Sequence, residues 1–125
     1  MTITRILAGL AGLAPSLATA AVIDCIEAES ATGSAKCGGE YRVVVRPVEG
    51  ARHALVLSQE FEGEAIVFFE SEGAKVAVGG ERVIVSGGEL KIEIDLAKRA
   101  DGMSRGQFAF ETSEEATPLL CNYRE

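Results

Sequence analysis

Leu90-Lys91-Ile92-Glu93-Ile94-Asp95-Leu96 sets an apolar side chain at every second position with a charged one between. In an extended chain successive side chains point to opposite faces. Leu90, Ile92, Ile94 and Leu96 therefore share one face, and Lys91, Glu93 and Asp95 the other, as in a strand with one side in a core and one in water. Tyr41-Arg42-Val43-Val44-Val45-Arg46 repeats the pattern, with Tyr41, Val43 and Val45 inward. Pro47 cannot donate to a ladder and puts the end of that strand at a sheet edge or exit. Residues 54–61 and 65–69 follow as strands. Ile66-Val67-Phe68-Phe69 is apolar on both faces, which predicts a place in the middle of the fold.

Glycine marks the joins. Gly79-Gly80 lies between the apolar runs 75–78 and 82–85, and Gly87-Gly88 repeats the signal eight residues later. Such pairs supply the positive φ angles of tight hairpins. Glu62-Gly63 and Glu72-Gly73 predict two more turns. The Gly-Gly-Glu triplet at residues 38–40, 79–81 and 87–89 reads as turn chemistry, because the strands after it do not resemble one another. Two short helical turns are predicted, one capped by Asp95 and running through Ala100 to Gly102, the other over residues 112–116. Phe108-Ala109-Phe110 and Leu119-Leu120-Cys121-Asn122-Tyr123 read as the last strands. Seven or eight short strands at this spacing predict an all-β domain: an antiparallel β-sandwich, with a small β-barrel as the alternative.

The amino terminus reads as an address. Residues 1–5 form a short start with Arg5 as its cation, residues 6–17 are mostly apolar, and Ala18-Thr19-Ala20 fits the small-x-small site of a signal peptidase. The expectation is a signal peptide over 1–20 and an exported domain over 21–125, periplasmic or secreted. The apolar run is too short for the roughly 20 residues of a spanning helix, so no membrane span is expected after cleavage. Cleavage leaves 105 of 125 residues and takes the formal net charge from −7 to −8. That charge repels nucleic acid and anionic headgroups and favours cationic partners, while also keeping a secreted domain soluble.

Three cysteines, Cys25, Cys37 and Cys121, imply one disulfide and one remaining thiol, or an intermolecular bond. Proximity favours Cys25–Cys37. Loop entropy favours a long bridge to Cys121, and spacing alone does not decide. No metal site or cofactor is expected: the cysteine spacings do not suit zinc, and His53 has no second histidine. No C-x-x-C pair marks an activated thiol, so Cys121 reads as structural.

Other residues carry candidate chemistry. Gly102-Met103-Ser104-Arg105-Gly106 matches G-x-S-x-G, but that elbow requires a strand before the serine and a helix after it, and here a strand follows. His53, next to Gly50-Ala51-Arg52, reads as a solvated loop residue. Glu60, Glu62 and Glu64 cluster around Gly63, with Glu70 and Glu72 beyond. Their pattern does not suit calcium, and a glycosidase pair would need a sugar cleft. They read as an acidic hairpin able to meet a basic protein. Lys98, Arg99 and Arg105 form a basic island on what reads as the longest loop. The expected function is a non-enzymatic β-domain that binds another envelope or secreted protein, as accessory or inhibitor, through a sheet edge or its acidic face. The alternatives are a small hydrolase using Ser104 or a glutamate pair, and a passive envelope component.

Overall fold

The computed structural model describes residues 16–28 and 40–125. All regular structure among them is β. The strands are β1 (Ser16–Ala18), β2 (Val22–Glu27), β3 (Glu40–Pro47), β4 (His53–Phe61), β5 (Glu64–Gly79), β6 (Arg82–Gly87), β7 (Leu90–Ala100), β8 (Met103–Phe110) and β9 (Thr117–Arg124). Pairing is antiparallel throughout, and β2 to β9 close into an eight-stranded barrel in the order β5-β4-β3-β2-β9-β8-β7-β6, with β6 returning to β5. The sandwich expected first is thus replaced by the barrel alternative. The cause lies in β5. At 16 residues it is long enough to pair with β4 over its first part and with β6 from Lys75 onward, so no gap divides the strands into two sheets.

The alternation read from the sequence builds the interior. Ile23, Val43, Val45, Leu55, Leu57, Val76, Val83, Val85, Leu90, Ile92, Ile94 and Leu119 are almost wholly buried inside. Lys91, Glu93 and Asp95 sit between core residues on the outer wall. An eight-stranded barrel is about wide enough for side chains to fill it, and here aliphatic groups do so.

Both mouths are covered. At one, aromatic rings span the opening: Phe68 lies 5.9 Å from Tyr41, Tyr41 5.3 Å from Phe108, Phe108 6.3 Å from Phe110, and Phe110 6.0 Å from Phe69. Phe69 is drawn over the β6–β7 turn, where a Cβ on Gly88 would come within 3.1 Å of its ring. At the other mouth, β1 pairs with residues 76–78 of β5, and Ala18 and Ala21 are buried. Ser16–Ala18 belong to the segment that the sequence assigns to the leader. Cleavage after Ala20 would take β1 away from β5. The rest of the leader reading, residues 1–15, lies outside the described residues.

Cys25 and Cys121 face each other across the β2–β9 seam, 4.0 Å apart at Cα, and form the disulfide. The Cys25–Cys37 pairing is therefore not the one made, because closure of the barrel brings the first and last barrel strands side by side. Cys37 lies outside the described residues.

Three local expectations change. Glu72-Gly73 is not a turn, since β5 runs through it. There β4 pairs His53 with Ala74 and Leu55 with Ser71, and the extra residue is absorbed as a bulge. Asp95 to Ala100 is not a helical turn but the outer part of β7, with a register shift between Asp95 and Arg99. Residues 112–116 form a turn without helix, held in part by Ser113, whose backbone N–H donates to the Phe110 carbonyl.

Candidate functional site

The β4–β5 hairpin carries the acidic cluster. Phe61 pairs with Glu64, so Glu62-Gly63 is a two-residue loop, with φ of 51° and 86°. Positive φ at both positions matches the twist of the flanking strands. Glu60, Glu62 and Glu64 thus gather at one tip. Glu60 forms an ion pair with Arg42 on β3 at 3.3 Å, and both side chains are well exposed.

The apolar residues beside them are the surprise. Ile66 and Val67 are each 50% exposed, Phe68 53% and Phe61 43%, so the stretch expected at the centre of the fold is, apart from Phe69, an exposed apolar surface. Two features put it outside. From Glu64 to Gly73 the edge of β5 away from β4 has no partner strand among the described residues, because β6 pairs only from Lys75 onward. A bulge also lies between Leu57 and Ser58: Leu57 pairs with Phe69 and Ser58 with Val67, leaving Phe68 as the extra residue. The result is an apolar ledge with an open backbone edge, bordered by Glu62, Glu64, Glu70 and Glu72.

The basic island is divided. Lys98 and Arg99 stand on the bulged part of β7 and Arg105 on β8, so the expected loop is a hairpin closed by Asp101-Gly102. Arg99 is committed to that hairpin: Nη1 donates to Ser104 Oγ at 3.0 Å and Nη2 to the Gly102 carbonyl at 2.6 Å. Lys98 and Arg105 remain on the outer wall.

Ser104 is buried and faces inward, and its hydroxyl accepts the Arg99 hydrogen bond. It follows a tight turn and opens a strand, the reverse of the context the G-x-S-x-G elbow needs. His53 is also fully buried, contrary to the solvated loop expected for it. Its Nε2 accepts from the Ala21 backbone N–H at 3.1 Å, which leaves the proton on Nδ1, and Nδ1 has no partner. Burial holds the His53 pKa below the ordinary imidazole value. The parity of β4 carried this signal, since His53, Leu55 and Leu57 alternate onto one face. Among the described residues no three His, Cys, Asp or Glu side chains group as a metal site. Compared with family models, curated proteins and solved structures, the chain matches none.

Proposed function

We propose that this protein is a small exported β-barrel that binds another envelope or secreted protein through the ledge of the β4–β5 hairpin. The observation that carries this reading is the coincidence of exposed Phe61, Ile66, Val67 and Phe68 with an unpaired strand edge. An unpaired edge accepts an added strand: backbone hydrogen bonds supply affinity and alternate side chains supply selection. Glu62, Glu64, Glu70 and Glu72 suit a partner strand that carries lysine or arginine between apolar residues. Like-charge repulsion works against a second copy of this chain in the same slot. The buried Cys25–Cys121 disulfide is consistent with an oxidising compartment.

The test is site-specific photocrosslinking in the exported fraction. A photoreactive residue at Val67 should give one discrete protein adduct, while the same residue at exposed Asn122 on β9, four strands from β5 in either direction around the barrel, gives none. The Phe68→Ser variant should lose the adduct. Equal labelling from both positions, or none from Val67, would overturn the reading.

A further inference from the structure

The register shift in β7 builds a second site on the outer wall, away from the hairpin ledge. Arg82 on β6, Asp95 on β7 and Arg105 on β8 are consecutive cross-strand partners, so three charged side chains stand in one row. Between Asp95 and Arg99 the ladder is broken, and Lys98 stands over the end of that row. Together with Glu93 and Gln107 these residues line a cleft of about 310 Å³. Gly106 at its floor admits no larger residue, because a Cβ there would lie 2.7 Å from the Glu93 carbonyl oxygen.

Two carboxylates also line the cleft. Glu93 pairs with Lys91 at 3.3 Å, while Asp95 Oδ1 accepts from the Ala97 backbone N–H at 3.0 Å and keeps its charge between Arg82 and Arg105. Among the described residues Arg82, Lys98 and Arg105 have neither a carboxylate within ion-pair distance nor a hydrogen-bond acceptor. With Glu93 taken up by Lys91, three cations face the single carboxylate of Asp95, and this net positive concavity on an acidic molecule is an arrangement that an anion completes. The volume lies at the lower limit of ligand pockets, roughly 300 Å³, which suits a small molecule.

We propose that this cleft binds a small oxyanion, a carboxylate or a sulfate or phosphate group, held by Arg82, Lys98 and Arg105. The guanidinium groups offer paired donors to its oxygens and Lys98 a point charge. Gln107 supplies a neutral polar group beside them.

The test is an amide NMR titration of the chain with inorganic phosphate and, separately, citrate, at ionic strength held constant with chloride. Saturable shifts are expected at residues 82, 95–98 and 105–107, with millimolar affinity. The Lys98→Gln/Arg105→Gln variant should bind at least tenfold more weakly while its melting temperature stays unchanged. Tighter binding of citrate would assign a carboxylate ligand, and tighter binding of phosphate a tetrahedral one. Shifts that do not saturate, that spread equally to Arg46, Arg52 and Arg124, or that survive the double substitution would overturn the proposal.

Discussion

His53 shows how one buried ring can set a pH dependence. In the folded chain it is neutral and accepts from Ala21, and burial lowers its pKa. The unfolded chain takes up a proton near the ordinary value of about 6.5. On acidification the unfolded state binds the proton first, so stability falls as the pH drops below that value and levels off below the folded pKa. Melting temperature is expected to decline from pH 7 toward pH 5, and His53→Gln, which keeps an acceptor without a titrating ring, should flatten that decline. An unchanged slope in the variant would remove His53 as its source. Gly106 makes a steric case. Adding a Cβ drives it into the backbone of β7, which cannot yield as a side chain tip can. Gly106→Ala is expected to cost about 1–3 kcal/mol in urea unfolding, the range for overpacked interiors. Neither property stood out in the sequence. His53 was overshadowed by its loop-like neighbours although its parity pointed inward, and the need for glycine at 106 arises only when β7 and β8 approach.

Among the elements, the first part of β7, residues 90–96, and the double-glycine hairpins were legible because alternation and turn chemistry are local properties, whereas the bulged part of β7 was read as a helical turn. β5 was not. Its 16 residues contain Glu72-Gly73, which reads locally as a turn, and only pairing with two neighbours in succession keeps the strand continuous. The exposure of Ile66 to Phe68 was hidden for a related reason. A doubly apolar strand reads as central, yet these residues run past the end of β6 and, among the described residues, have a partner strand on the β4 side alone. β1 has a measurable weight. Ala18 is buried and the strand pairs with Val76 to Val78. Its pairing and the burial of Ala18 act in favour of the folded barrel against the cost of ordering the segment. A chain beginning at Ala21 should be less stable in urea unfolding than one retaining residues 16–20. Equal stability would mean that β1 contributes nothing to the barrel.

At the scale of the molecule, the two ends are built differently, with aromatic rings meeting at one and β1 paired beside the other. The all-β class was legible from the alternation. Closure was not, because it depends on β9 meeting β2 across the whole length of the chain. The bridge at that seam spans 96 residues, and the chain-entropy model gives about 4.7 kcal/mol for a loop near that size. Cys25→Ala/Cys121→Ala is expected to lower stability by about 2–5 kcal/mol in urea unfolding, with the barrel retained. The same bridge decides how the molecule answers a pull. β2 begins and β9 ends at the same rim, so tension applied there peels Arg124 from Val22, Tyr123 from Ile23 and Asn122 from Asp24, one rung at a time. At the fourth rung the load meets a covalent bond. A tethered barrel would give out a few residues of slack and then hold, releasing the remaining length only after reduction.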